Sequence, residues 1–476
     1  MIERLVFLII YLFSFSVQSQ EIVLSFKNED LSRRITKDSY TIINTNNNNL
    51  ALVIIERKDA TVYLFDSGFN ELTKFETPNI KSKYNEALGF SINGNVYSVL
   101  YTNYTHKKFA LHHIDFNSKT SSVNEIDLNL NDDLFLDAIS YKNSLYILSG
   151  NNSTELTLRQ LNTNNEFQRL KTFSLEEISE DTSLISSKVA FGSFVFAGNK
   201  TSNITKIDPR LPTSIERASN ANKLYQNNET IYLTFDNNKK YTIIYTINLD
   251  QLGLKIKTYT YPKSRLKKEF KKFNSFIFQD NIYQIASSKD EMAIEIKNFS
   301  GKVLKDFYVN RDMPINFKNS PIIQEGATAL PFVTTRKLEQ TSKYLRKISS
   351  GNPGINVQKV KNLYYVTLGG YQVINTGGAS PIVSSPTMTN GGFISYNPTY
   401  LSYNSYAVTK STYFNTILNS EFKHIKGTIE PNTFDRVSKY KKNKKYISAE
   451  DVFYYNNKLY FGYFNLKESE YNLVKF

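Results

Sequence analysis

The sequence predicts an all-β protein built from one repeated unit, an antiparallel meander of short strands. Residues 222–262 show this unit: apolar and polar residues alternate over 231–235 and over 243–249, with the turn Asp236-Asn237-Asn238 between them. A third run follows before Pro262. The same pattern recurs along the chain. The residues that directly follow the inner turn are separated by 49, 49, 37 and 51 positions, and they are Tyr97, Tyr146, Val195, Tyr232 and Tyr283.

Each unit is predicted from its own alternating runs and turn residues. Asn93-Gly94 between the runs 88–92 and 96–100 is a strong signal for a hairpin. In the seventh unit, 344–348 and 355–360 are expected to be outer strands beside an inner strand at 327–333. In chain order, the predicted units cover residues 50–75, 88–128, 134–173, 184–207, 222–262, 273–309, 327–360, 363–425 and 452–476.

A period of about 40–50 residues with four short strands is typical of a β-propeller, in which each sheet buries its faces against its neighbours. On this pattern, nearly the whole chain resembles the β-propeller superfamily. The candidate units exceed the usual blade number of about four to eight. We therefore expect eight four-stranded antiparallel blades, with seven as the alternative and one weak unit as an insertion or a fused pair. The chain has no Trp, which excludes the WD dipeptide of WD40 repeats, and no specific family is indicated.

The last unit predicts how the ring closes. It ends after its third strand, Tyr471 to Phe476, and one strand-like run, Ile22 to Phe26, stands alone before the first full unit. A propeller can close by taking a missing strand from the other end of the chain. We therefore expect residues 22–26 to complete the last blade.

The amino terminus predicts export. Residues 5–17 are apolar and Val17-Gln18-Ser19 resembles a cleavage site, so residues 1–19 are expected to be a signal peptide and 20–476 a single mature domain. No later run has the length of a transmembrane helix. The absence of cysteine excludes disulfides and thiolate chemistry, and it favours an exported bacterial protein. The periplasm or the surface of a Gram-negative cell is the expected location.

The chain is basic, with 58 Lys and Arg against 44 Asp and Glu. Two basic runs, 263–272 and 439–445, could contact an anionic envelope polymer. The alternative is that they are solvated connections between blades, and that lysines protect exposed strand edges. Nucleic acid is not an expected partner, because an exported protein seldom meets it.

The stretch that departs most from the repeat is a Gly-, Ser- and Tyr-rich insertion around residues 369–413. Insertions in repeat arrays often form loops on a binding face. Tyrosines in such a loop could stack on a sugar ring or hold a peptide. The alternative is that they pack along one more pair of strands. The candidate ligand-binding residues are Tyr371, Tyr396, Tyr400, Tyr403 and Tyr406.

No residue pattern predicts catalysis, a cofactor or a metal. His112 and His113 are neighbours, so on a strand they point to opposite faces and cannot share one ion, although His106 could meet either of them. Carboxylates cluster at 132–137 and 176–181, but a glycosidase needs two of them facing each other across a substrate. The three glycine pairs of the insertion, at 369–370, 377–378 and 391–392, lack the spacing of a phosphate-binding loop.

The sequence therefore favours an exported, non-enzymatic β-propeller that acts as a recognition or scaffold module in the cell envelope. Its expected partner is a protein or an envelope polysaccharide. The alternative is an envelope glycoside hydrolase or lyase that uses carboxylates and tyrosines at the propeller mouth. The sequence does not specify an oligomeric state.

Overall fold

The computed structural model describes residues 20–476, except 57–58, 79, 81–82, 104, 132, 151–154, 175–203, 267, 326–334, 372–394 and 409–410. The expected signal peptide, most of the unit at 184–207 and the expected strand at 327–333 therefore lie outside the described residues.

The described residues form a β-propeller of seven sheets, numbered here as blades in chain order. One strand precedes them, β1 (Glu21–Lys27). Blade 1 holds β2 (Asp38–Ile43), β3 (Leu50–Glu56), β4 (Asp59–Phe65) and β5 (Glu71–Pro78). Blade 2 holds β6 (Glu86–Asn93), β7 (Val96–Thr102), β8 (Phe109–Asp115) and β9 (Thr120–Ile126). Blade 3 holds β10 (Leu134–Tyr141), β11 (Ser144–Gly150), β12 (Glu155–Leu161) and β13 (Phe167–Ser174).

The next three blades include two sheets of five strands. Blade 4 holds β14 (Thr205–Ile207), β15 (Asn222–Asn227), β16 (Thr230–Phe235), β17 (Tyr241–Asn248) and β18 (Gly253–Thr260). Blade 5 holds β19 (Lys272–Phe278), β20 (Asn281–Ser287), β21 (Glu291–Asn298) and β22 (Val303–Asn310). Blade 6 holds β23 (Ile322–Glu325), β24 (Thr335–Leu338), β25 (Asn352–Val360), β26 (Leu363–Tyr371) and β27 (Ser411–Leu418).

Blade 7 joins both ends of the described chain. It holds β28 (Ile447–Tyr455), β29 (Lys458–Asn465) and β30 (Glu470–Lys475), and β1 is its fourth strand. β1 runs antiparallel to β30, with Ile22 opposite Val474 and Phe26 opposite Tyr471. The expected closing strand is therefore confirmed. The Phe26 ring also lies 4.6 Å from the ring of Tyr63 in blade 1, measured between centroids, so β1 contacts the first blade as well.

The burial pattern explains why the sheets need each other. In blade 1, β3 is buried along nearly its whole length, because its side chains meet neighbouring blades on both faces. The outermost strand of blade 2, β9, is largely exposed. The predicted hairpins are present, since Gly94, Asn143 and Asn457 adopt the positive φ angles that tight two-residue turns require.

Two sequence-based expectations about blade 6 differ from the structure. Residues 344–348, expected as a strand, belong to a helix, which buries Tyr344, Leu345 and Ile348 on one side. The units predicted at 327–360 and 363–425 supply strands to one sheet, with the order β24-β23-β27-β26-β25. These two predicted units are therefore one fused pair, as the sequence pattern allowed. The structure describes seven sheets, which agrees with the alternative blade number of seven.

Four helices accompany the described sheets: α1 (Ile215–Ala218), α2 (Thr341–Ser350), α3 (Pro398–Val408) and α4 (Thr433–Lys442). Blade 7 packs one face on blade 1 and the other on α3 and α4. Tyr403 and Phe434 of these helices share a buried apolar cluster with Val452 and Phe461 of blade 7. The helices thus cover a face that another blade would otherwise cover. In the described part of the chain, no helix is long and apolar enough to cross a membrane.

A buried carboxyl lies where blades 7 and 1 meet. Asp451 is fully buried and accepts a hydrogen bond from Asn397 Nδ2 at 3.3 Å. Burial raises its pKa from 3.8 to about 7. In the folded protein the carboxyl therefore keeps its proton over a pH range in which the unfolded chain has already released it.

This carboxyl predicts that stability falls as the pH rises from about 4 to about 7, since the folded state then binds more protons than the unfolded state. Replacing Asp451 by Asn should flatten this dependence and stabilise the protein at pH 8 by about 1–4 kcal/mol. Urea unfolding at pH 5 and pH 8 measures the effect, with the exposed Asp312→Asn as the control. Equal stability of the wild type and Asp451→Asn at pH 8 would contradict the prediction.

Candidate ligand-binding cavity

The two faces of blade 6 differ in chemistry. One face is apolar and packs against blade 5, where Ile355, Val357 and Val366 join Phe276 and Ile285 in a buried cluster. The other face is polar, because polar residues occupy the alternate positions of three neighbouring strands. These residues are Asn356 and Gln358 of β25, Tyr365 and Thr367 of β26, and Ser411, Tyr413 and Asn415 of β27.

This polar face forms one wall of a cavity of about 270 Å³. Glu325, at the end of β23, belongs to the same wall. The opposite wall comes from residues 212–215, from Tyr406 of α3, and from Ile429, Glu430, Asn432 and Asp435 at the start of α4. The volume is near the lower end of the range for small-molecule sites. The cavity therefore lies between blade 6 and the helices that separate it from blade 7.

Each wall of the cavity holds a tyrosine that donates a hydrogen bond to a carboxylate of the same wall. The Tyr413 hydroxyl donates to Glu325 Oε1 at 2.9 Å, and the Tyr406 hydroxyl donates to Asp435 Oδ1 at 2.9 Å. Asp435 is fixed by the capping box of α4, since Asn432 N donates to its Oδ2 at 2.8 Å. Burial raises the pKa of Glu325; the hydrogen bond from Tyr413 opposes this shift and the charge of Asp435 adds to it. Burial likewise raises the pKa of Tyr413 and of Tyr406.

Three polar atoms of the lining residues have no hydrogen-bond partner within the described part of the chain. They are Asn356 Oδ1, Thr213 Oγ1 and Ser411 Oγ, and each residue is at most 3% exposed. A buried polar atom without a partner costs about 1–3 kcal/mol. All three residues line the same cavity, so their unused donors and acceptors are candidate contacts for a polar ligand.

Of the five tyrosines singled out in the sequence, Tyr406 lines the cavity. Tyr371 lies at the end of β26 on the same polar face, paired with Ser411, and it is not a lining residue. Tyr396 donates to the carbonyl of Thr41 at 2.5 Å and packs on inner strands of blades 1 and 2. Tyr400 and Tyr403 are buried between α3 and blade 7. Ligand binding by these five residues stays a prediction.

The residues that sequence reasoning missed carry most of the cavity's chemistry. Glu325, Asn356 and Asp435 belong to three different segments, and nothing local connects them. A signal was present in the alternation of polar residues at 356 and 358, at 365 and 367, and at 411, 413 and 415. A blade that is buried on both faces would have apolar residues at such positions.

The other candidates from the sequence have structural partners. Asp133 pairs with Arg159 at 3.1 Å, and Asp137 pairs with Lys206 at 2.8 Å. His106 contacts Glu86 at 2.8 Å. Among the described residues, no group of three or more His, Cys, Asp or Glu side chains could hold a metal ion. The carboxylates at 176–181 lie outside the described residues.

Comparisons with known proteins give distant likenesses. No protein-family model matches the chain, and no curated protein matches its sequence. Among solved structures, a DUF4221-family protein from Bacteroides vulgatus matches with a TM-score of 0.31 and 11% identity, over 92% of this chain and 97% of that chain. The WD40 domain of SCAP from fission yeast matches with a TM-score of 0.33 and 8% identity, over 96% and 97% of the two chains.

A chimera described as ACO/RPE65 matches with a TM-score of 0.29 and 6% identity, over 58% of this chain. That match spans 61% of the chimera's own length. At such low TM-scores, none of these likenesses bears on activity. The assignment of the chain as a β-propeller rests on its seven sheets, on the packing of neighbouring blades and on the pairing of β1 with β30.

Proposed function

We propose that this protein is an exported, non-enzymatic β-propeller that recognises a polar ligand in the cell envelope, in the periplasm or at the surface of a Gram-negative cell. The polar face of blade 6 and the three unpartnered buried atoms of the cavity lining support recognition. The apolar run at residues 5–17 and the lack of cysteine support export. The ligand would be a small molecule, or an exposed group of a protein or an envelope polysaccharide.

One substitution separates recognition from folding. Asn356→Leu removes the unpartnered Oδ1 and keeps the branching and the number of side-chain heavy atoms, so it should raise the free energy of unfolding by about 1 kcal/mol. It should also abolish ligand binding, because the ligand loses its partner on β25. The matched control is Asn274→Leu. Asn274 is equally buried but fully bonded, to Lys223 at 2.7 Å and to the Ser219 carbonyl at 2.7 Å, so this change should destabilise the fold.

The measurement is thermal unfolding of the wild type and of both variants against a panel of soluble sugars and amino compounds. At least one compound should raise the unfolding temperature of the wild type and leave that of Asn356→Leu unchanged. A compound that stabilises both proteins equally would show that the cavity is not the site. Chemical conversion of a bound compound, followed by NMR, would contradict the non-enzymatic assignment and favour the hydrolase alternative.

A further inference from the structure

The described lining of the cavity carries negative charge without a compensating cation. Glu325, Glu430 and Asp435 line it, and among the residues that the structure describes no Lys or Arg does. None of these three carboxylates forms an ion pair with another described residue. The acidic lining is unusual for this protein, because the chain as a whole is basic, with 58 Lys and Arg against 44 Asp and Glu. Elsewhere in the described residues, buried acids such as Asp208 and Asp236 pair with Arg210 and Lys223.

Uncompensated carboxylates in a partly buried site attract a cation and repel an anion. Phosphate, sulfate and uronic acid ligands are therefore unsuited to this cavity. A metal ion is also a poor candidate, because the described carboxylates do not converge as metal ligands do. An organic ammonium group fits better, since it can donate to several separated oxygens and can lie against aromatic rings. Tyr365, Tyr406 and Tyr413 supply such rings in the lining.

The unpartnered atoms add a second requirement. Asn356 Oδ1 is an acceptor and needs an N–H or O–H donor, whereas the hydroxyls of Thr213 and Ser411 can donate or accept. These three residues are nearly completely buried, whereas Glu430 lies at the exposed rim. A ligand with one ammonium group and several hydroxyls would satisfy both the carboxylates and these buried atoms.

We infer that the cavity binds a compound that combines a protonated amine with hydroxyl groups, the chemistry of an amino sugar. This inference rests on the proposed function, because it names the ligand class of the same site. Glu325, Glu430 and Asp435 select the ammonium group, and Asn356, Thr213 and Ser411 bind the hydroxyls.

The test is calorimetric titration with glucosamine and with glucose, which share the ring and differ in the amine. At about pH 6.5 the amine is protonated. Glucosamine should bind at least about tenfold more tightly than glucose at low ionic strength, and the difference should shrink as salt is added.

Variants of the lining carboxylates test whether their charge causes the preference for glucosamine. Glu325→Gln keeps an acceptor for Tyr413 and loses the charge. It and Glu430→Gln should each weaken glucosamine binding by about threefold to tenfold and weaken glucose binding less, because glucose has no ammonium group. The control is Glu421→Gln, an exposed residue paired with Lys423 outside the cavity, which should change nothing. Thermal unfolding checks that all three variants fold.

The outcomes separate this inference from the proposed function. Equal affinity for the two sugars, no binding of glucosamine, or glucosamine binding that is unaffected by Glu325→Gln and Glu430→Gln would each overturn the amino-sugar inference. The proposed function would still stand if a neutral compound of the panel stabilised the wild type and not the Asn356→Leu variant. The proposed function would be wrong if no compound lost its stabilising effect in that variant.

Discussion

Removing residues 20–27 is expected to cost the protein more than about 5 kcal/mol of folding free energy and to promote self-association. These residues form β1, which supplies the fourth strand of blade 7. Without β1, the edge of β30 has no partner, and an exposed, regular strand edge is a template for pairing with another chain. The loss also removes the Phe26 ring from between blades 1 and 7, where it lies 5.4 Å from Tyr471 and 5.7 Å from Phe65 between centroids.

Point variants keep this prediction testable if the truncated chain does not fold. Phe26→Ala should lower the free energy of unfolding by about 3 kcal/mol, as expected for a partly buried aromatic residue. Ile22→Ala, on the same strand at a side chain that is 52% exposed, should cost less than about 1 kcal/mol. Chemical unfolding measures both. Equal, small effects of the two variants would show that β1 does not hold the ring together.

Replacing Asp236 by Ala is expected to destabilise the protein by about 3–5 kcal/mol, because it leaves a buried cation without its partner. The side chains of Lys223 and Asp236 are fully buried and lie 3.1 Å apart. Asp236 also accepts hydrogen bonds from Thr242, Tyr261 and Ser275, at 2.8, 2.7 and 2.8 Å. Since Ser275 belongs to blade 5, this carboxylate joins blade 4 to its neighbour.

The pH dependence of the Asp236→Ala variant provides a second readout. Burial lowers the pKa of Lys223, and Asp236 opposes this shift. Without the carboxylate, the pKa of Lys223 should fall further, so the unfolded state binds more protons and stability rises with pH. The defect should therefore be smaller at about pH 10 than at pH 7. The control is Asp250→Ala, in the exposed pair with Lys142, which should show little change at either pH. A similar loss in both variants would contradict the role of burial.

Much of the fold was predictable because its signals are local. Alternating strands and turn residues with positive φ, such as Gly94 and Asn143, can be recognised within about ten residues of sequence. The closing strand was predictable because the last unit ends after three strands while Ile22 to Phe26 stands alone.

The wrong secondary-structure predictions concern segments whose sequence pattern fits more than one kind of element. The apolar run 344–348 is short enough to fit a strand or a helix, and the structure makes it part of α2. The helix α3 had a recognisable start, since Asn397 Oδ1 accepts from Thr399 N at 3.0 Å and Pro398 is the first helical residue. The many tyrosines of this segment fit a binding loop or a pair of strands as well as a helix, so the start signal alone does not decide the element.

The cavity could not be predicted as a unit because its walls are distant in sequence. The order of strands in blade 6, where β27 pairs with both β23 and β26, brings Glu325 next to Tyr413, whereas Asp435 reaches the cavity from α4. That order depends on packing between whole blades, which no local pattern encodes. What the sequence does contain is the unusual polarity of one face of this blade.

The most direct test of the proposed ligand-binding cavity is a crystal structure of the wild-type protein soaked with the compound that stabilises it most in the thermal-unfolding panel. We predict difference density inside the cavity between blade 6 and α4, within hydrogen-bond distance of Asn356 and Ser411. Density for the compound at any other surface, with the cavity unchanged, would contradict the claim that the polar face of blade 6 is the recognition site.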